Sequence, residues 1–153
     1  MSRVDPPGRK WSVLVVDDDP GLRGFFATIL AREDFSVDCA ANGRLAYEHL
    51  RRGSYSVILL DLMMPDVNGF ELLGRLQRES PPLLRRVIVM TGAAQRVVES
   101  VDTRRVWGMI RKPFDNAELI SSLRDCASGR RSAARRVSTT ESASTGSNAS
   151  PLH

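Results

Sequence analysis

"VLVVDDDP", residues 13 to 20, decides the fold. Val13, Leu14, Val15 and Val16 form a short apolar run rich in β-branched residues, which favour a packed strand over a helix. Asp17, Asp18 and Asp19 follow without a spacer, and Pro20 closes the stretch. Three adjacent carboxylates repel one another and seek water, so this strand must end abruptly at a rim. Proline suits the first position of a helix, which makes Asp19 the expected N-cap of the next element. The stretch reads as a buried strand, an acidic edge and a helix start.

The same alternation repeats along the chain. Apolar runs at 11–16, 35–40, 55–60, 86–90 and 105–110 predict five strands. Helical spacing predicts helices at 20–33, 42–52, 68–79, 94–102 and 115–128, with Asn42 and Asp115 as N-caps and Glu118 at the capping-box position. Pro81 and Pro82 stop the third helix. Strands alternating with helices imply an α/β fold, a doubly wound five-stranded parallel sheet with five helices. The runs are nearly continuous because such strands are covered on both faces. Ligands of such sheets lie at the carboxyl ends of the strands.

The chain has 153 residues, 42% hydrophobic and 26% charged, enough for one domain with a real core. No apolar run approaches the ~18 residues of a membrane span, and "MSRVDPPGRKW" has no apolar leader segment, so a cytoplasmic, membrane-free protein is expected. Cys39 and Cys126 have no metal-like or redox-like spacing and read as reduced thiols. Residues 1–10 read as a disordered lead-in and 11–127 as the folded domain. Residues 128–153, rich in Ser, Ala, Thr and Arg, read as a disordered tail. The formal net charge is +4, and Arg130, Arg131, Arg135 and Arg136 of that tail carry much of it. This argues against nucleic acid as a partner of the folded part, beyond nonspecific, salt-sensitive contact through the tail.

Chemistry gathers at the predicted strand ends: Asp17, Asp18 and Asp19 after the first, Asp61 after the third, Thr91 after the fourth and Lys112 after the fifth. Two unit charges ~4 Å apart repel by about 4 kcal/mol at an effective dielectric near 20, so either a carboxylate takes a proton or a cation sits between. Mg2+ suits hard oxygen ligands and a phosphoryl partner. A free carboxylate beside a metal, an ammonium and a hydroxyl is a site for phosphoryl transfer to an acyl phosphate.

At these residues the sequence resembles the receiver domain of two-component response regulators. The resemblance rests on "VVDDDP" (15–20), "LLDLMMPDVNGFELL" (59–73), "VMTG" (89–92) and "RKPF" (111–114), in the family's order, and covers roughly residues 11–127. It implies a flavodoxin-like receiver fold with Asp61 as phosphoacceptor. Asp17, Asp18, Asp61 and the backbone carbonyl of Met63 would hold Mg2+. Lys112 would pair with the phosphoryl group, Lys112–Pro113 would be cis, and Thr91 would be the switch hydroxyl. Pro65 and Gly69 would shape the loop after the acceptor. Asp66 reads as a solvated loop residue and His49 as a surface residue beside Arg51 and Arg52, not a phosphodonor.

Two departures stand out. The family's inward-turning aromatic is here Met109, with Trp107 two residues earlier and, by strand alternation, on the same side. The stretch "AAQRVVESVDTRR" is unusual for the fourth helix. Met63 and Ala93 cannot orient an attacking water, which predicts slow loss of the phosphoryl group. The resemblance implies a stand-alone signalling protein rather than a conventional enzyme. It would be phosphorylated by a histidine kinase or phosphotransfer protein and read by a downstream protein at a face that includes Trp107, Met109 and Arg111. Homodimerisation on phosphorylation is left open. The competing reading is a phosphorylation-independent receiver-like scaffold or binding module.

Overall fold

The computed structural model describes residues 11–62, 69–92 and 104–130. Five strands, β1 (Trp11–Val16), β2 (Phe35–Ala40), β3 (Val57–Asp61), β4 (Val87–Thr91) and β5 (Gly108–Arg111), make one parallel sheet in the order β2-β1-β3-β4-β5. Helices α1 (Pro20–Ala31), α2 (Gly43–Arg52), α3 (Gly69–Glu79) and α4 (Asn116–Ala127) are joined by a 3-10 helix at Pro81–Arg86. The helix expected at 94–102, the disordered lead-in expected at 1–10 and residues 131–153 of the tail expected at 128–153 lie outside the described residues.

Side-chain alternation divides the core into two layers. Leu14, Val16, Ile58, Leu60, Val87 and Val89 face Ala46 of α2 and Leu72 and Leu76 of α3. Val13, Val15, Val57, Leu59, Ile88 and Met90 face Phe26 and Leu30 of α1 and Leu119 and Leu123 of α4. Both faces of β1 and β3 are therefore sealed, which is why their sequences are continuous apolar runs. Burying each such side chain is worth roughly 1.5–3 kcal/mol. Strand order reverses between β1 and β3, so Asp17 and Asp61 emerge side by side at the crevice.

Local chemistry sets the helix starts. Asp19 accepts from the N–H groups of Gly21 and Leu22 at 2.8 and 3.4 Å, with Pro20 in the first turn. Asn42 caps α2 through Leu45 N–H, and Asp115 caps α4 through Glu118 N–H at 3.2 Å. Residues 128–130, assigned by sequence to the tail, instead cap α4. Gly129 has φ +82, its N–H bonds to Cys126 O, and Arg130 N–H bonds to Asp125 O at 2.8 Å. This is the Schellman arrangement, which places glycine where a side chain would be strained.

Two expectations are corrected. Pro81 and Pro82 do end α3, yet they also start a 3-10 helix, since proline suits a first helical turn. The fifth strand begins at Gly108, not at 105, because residues 104–107 turn before they reach β4. Alternation therefore cannot be counted back from Met109. Trp107 packs into the α1/α4 layer while Met109 packs into the α2/α3 layer, so the two lie on opposite sides. The Trp107 indole donates to Arg130 O at 2.7 Å.

Candidate functional site

The chain leaves β1 at Asp17, which is fully buried, and turns at once into α1. Asp17 Oδ1 accepts the N–H of Asp19 at 2.9 Å, and Arg23 of α1 donates to the Asp17 carbonyl at 2.7 Å. The turn is thus clamped by its own helix, and the two remaining aspartates diverge. Asp18 stays exposed at the rim, and Asp19 is consumed as a cap. Asp61 ends β3, buried, with Asp61 opposite Met90 in register and Thr91 next along β4. Lys112 follows β5, its N–H bonded to Thr91 O at 2.9 Å, and the Lys112–Pro113 bond is cis.

Carboxylate oxygens of Asp17, Asp18 and Asp61 all lie within 4.8 Å of one another. Lys112 Nζ lies 3.2 Å from Asp61 Oδ2, a hydrogen bond, and 3.5 Å from Asp17 Oδ2, an ion-pair distance only. Burial pushes the Asp17 carboxyl above the usual aspartate range, outweighing the N–H of Asp19 and the Lys112 charge. For Lys112, burial alone would lower the ammonium; Asp61 and Asp17 outweigh it and hold it above the ordinary lysine value. Asp17 Oδ2 is buried and has no hydrogen-bond partner. An orphaned buried oxygen normally costs about 1–3 kcal/mol. Its position beside two further carboxylates makes it a natural ligand for a small hard cation, and the donor set suits Mg2+.

The structure thus brings together Asp17, Asp18, Asp61 and Lys112 and puts buried Thr91 on the same rim. Met63, Pro65 and Asp66 lie outside the described residues. Met109 is half-buried and pairs in register with Val89; Arg111 is exposed opposite Thr91. Arg23 escaped sequence reasoning; its only signal was its place one turn inside α1. Gly69 was assigned a loop role, but its space is what matters: an added Cβ would meet Asp61 O at 2.6 Å. His49 is not merely a surface residue. Its Nδ1 lies 3.3 Å from the Tyr55 hydroxyl, which donates to Asp38 Oδ2 at 2.5 Å.

The sequence profile of the response regulator receiver domain matches residues 13–124. The chain belongs to that family. Receiver domains are the phosphoacceptor signalling modules of two-component systems, and the sheet order, the acid cluster and Lys112 belong to that frame. Transcriptional regulatory protein TcrA of Mycobacterium tuberculosis is 32% identical over 119 residues, covering 73% of this chain and 44% of that protein. Probable transcriptional regulatory protein TcrX of the same organism is 34% identical over 131 residues, covering 81% and 52%. This receiver chain spans about half the length of the curated relatives it matches. Response regulator TrrA of Thermotoga maritima, solved in complex with Mg(2+)-BeF, superposes with TM-score 0.67 at 26% identity over 76% of this chain and 99% of that one. Chemotaxis protein CheY4 of Vibrio cholerae gives TM-score 0.68 at 25% identity over 76% and 98%. The expectation that nucleic acid is no partner finds no support among relatives named as transcriptional regulators. Among the described residues no helix is long and apolar enough to cross a membrane.

Proposed function

We propose that Asp61 accepts a phosphoryl group from a phosphohistidine of a kinase or phosphotransfer protein. The carrying observation is the buried Asp61 carboxylate with Lys112 Nζ at 3.2 Å and two further carboxylates in reach. An Asp61 oxygen bonds to phosphorus as the donor's N–P bond breaks, leaving an acyl phosphate and free histidine. Asp17, Asp18, Asp61 and the Met63 carbonyl would hold Mg2+, which when bound offsets charge on the phosphoryl oxygens. Lys112 gives its ammonium to the same oxygens. The Thr91 hydroxyl donates to one of them and thereby biases a two-state equilibrium read at the surface near Met109 and Arg111. Arg23 and Asp19 hold the Asp17 turn while this happens.

The test is intact-mass measurement after incubation with a small-molecule phosphodonor and Mg2+. One phosphoryl group should be gained, acid-stable and base-labile, and Asp61→Asn should gain none. Absence of labelling from both a small donor and a kinase would leave the binding-module reading in its place.

A further inference from the structure

The turn that carries two of the three carboxylates is tied at almost every polar atom. Asp17 N–H donates to Ala40 O of β2 at 3.1 Å, Asp17 Oδ1 accepts the N–H of Asp19 at 2.9 Å, and the Asp17 carbonyl accepts from Arg23 Nη1 at 2.7 Å. Of that residue's polar atoms only Oδ2 has no hydrogen bond, and it lies among the carboxylates. Asp18 carries no side-chain hydrogen bond of its own among the described residues. Its exposed carboxylate is therefore aimed by the backbone on either side of it, the Asp17 carbonyl and the Asp19 N–H. One of the bonds that fix this backbone comes from a side chain outside the acid cluster, that of Arg23.

Helix chemistry does not account for an arginine at this position. Arg23 stands near the start of α1, where the helix dipole favours an acid. Among the described residues it makes no ion pair. Its charge would repel a cation held by Asp17, Asp18 and Asp61. The charges that act on the Asp17 carboxyl are those of Lys112, Asp61 and Asp18. What the guanidinium does make is a charge-assisted bond to one carbonyl. The backbone of the same residue is tied to the sheet, since the Cys39 thiol of β2 donates weakly to Arg23 O at 3.9 Å.

We propose that Arg23 is a positioning residue for the cation site: by holding the Asp17 carbonyl it fixes the peptide between Asp17 and Asp18, and with it the place of the Asp18 carboxylate. This rests on the reading that Asp17, Asp18 and Asp61 hold Mg2+. Deleting a partner that orients a metal ligand typically costs about 10–100-fold in metal affinity. Mg2+ is the more sensitive because it tolerates little departure from its preferred ligand arrangement. Arg23 bonds to the Asp17 carbonyl and to neither Asp61 nor Lys112, so its effect belongs to metal binding and not to the phosphoryl step. The three roles open to Arg23 differ in sign. Positioning means that its removal weakens Mg2+ binding. Action by charge means that removal takes a like charge away from the cation and tightens binding. A brace for the fold alone means a lower urea midpoint with the Mg2+ affinity unchanged.

Calorimetric titration of the full chain with MgCl2, beside urea denaturation without metal, separates these roles. Arg23→Met keeps the long apolar stem and loses the donor, so it should stay folded and bind Mg2+ about tenfold or more weakly than the parent. Arg23→Lys should regain most of the affinity, because a single bond to a carbonyl asks for one long cationic donor and not a fork. Arg32→Ala, at the other end of α1, should bind like the parent. Labelling of Arg23→Met by a small phosphodonor should be slow at low Mg2+ and return to the parent rate as Mg2+ saturates. Parent-like or tighter Mg2+ binding by folded Arg23→Met overturns the inference, as does an equal loss in Arg23→Lys or in Arg32→Ala, or labelling that stays slow at saturating Mg2+. If the parent itself takes up no Mg2+, the reading of the cation site falls first; if the parent binds and Arg23→Met binds alike, the inference alone falls.

Discussion

Replacing Gly69 with alanine sets two effects of opposite sign against each other. Alanine is the better helix former by about 1 kcal/mol in a helix interior, less at a first turn. The added Cβ, however, would lie 2.6 Å from Asp61 O and 2.7 Å from Leu62 Cα, both backbone atoms. Ordinary contact begins near 3.4 Å, so α3 and the end of β3 must part by about 0.8 Å. Neither atom belongs to a side chain that can swing away, and overpacking of this kind costs about 1–3 kcal/mol. Steric cost should win, by about 1–2 kcal/mol, in urea denaturation. The displaced carbonyl belongs to Asp61, so phosphodonor labelling should also slow by at least tenfold, since a shift near 1 Å at a reacting group costs up to about a hundredfold. Two internal controls isolate the steric part. A Cβ at Gly24 of α1 meets nothing within 4 Å, and one at Gly74 of α3 meets only the end of Arg78 at 3.4 Å. Both alanine variants should be more stable than the parent by about 0.5–1 kcal/mol. If Gly69→Ala unfolds at the parent midpoint and labels at the parent rate, the close approach of α3 to the acceptor is not what positions it.

Other outcomes follow from the same contacts. Asp17 has a raised pKa, so its ionisation costs the metal-free fold stability that is fully present below the ordinary carboxylate value and lost as pH rises through the raised one. Asp17→Asn should therefore raise the metal-free urea midpoint at pH 7, with the gain gone near pH 3, and should weaken Mg2+ binding measured by calorimetry. Tyr55→Phe removes the hydroxyl that joins Asp38 to His49 and should lower stability by about 1–3 kcal/mol in the same denaturation assay, leaving the Arg86 bond to its carbonyl intact. Burial pushes the Cys126 thiol up to about 12, so at pH 8 roughly one molecule in ten thousand is thiolate; a maleimide should reach Cys126 only on unfolding. Met63→Asn should shorten the acyl phosphate half-life, followed by loss of the added mass.

What could be read from the sequence was what is decided locally or by burial on both faces. Asp19, Asn42 and Asp115 were legible as caps because a cap acts within four residues. β1 and β3 were legible because a doubly covered strand is apolar along most of its length, here Val13–Val16 and Val57–Leu60. The meeting of Asp17, Asp18, Asp61 and Lys112 at one rim follows from strand ends and motif order. What depends on a distant neighbour was not legible. The start of β5 is set by where β4 offers register, so the apolar "RVWGMI" suggested three residues too many and put Trp107 on the wrong layer. His49 read as a surface residue from its arginine neighbours, whereas Tyr55, whose hydroxyl meets its ring, and Asp38, bonded to that hydroxyl, come from other segments. The lone Asp17 oxygen and the Arg23 clamp were hidden for the same reason.

The indole contact at Arg130 has a practical consequence. Both tryptophans, Trp11 at the start of β1 and Trp107 just before β5, stand at the amino ends of the strands, about 20 Å along them from the carboxylates. Intrinsic emission should therefore stay silent when a cation or a phosphoryl group arrives at Asp61. It should change when the α4 cap loosens and the Trp107 indole gives up its bond to Arg130. The protein carries a built-in optical probe for the end of the molecule where its chain leaves the last helix.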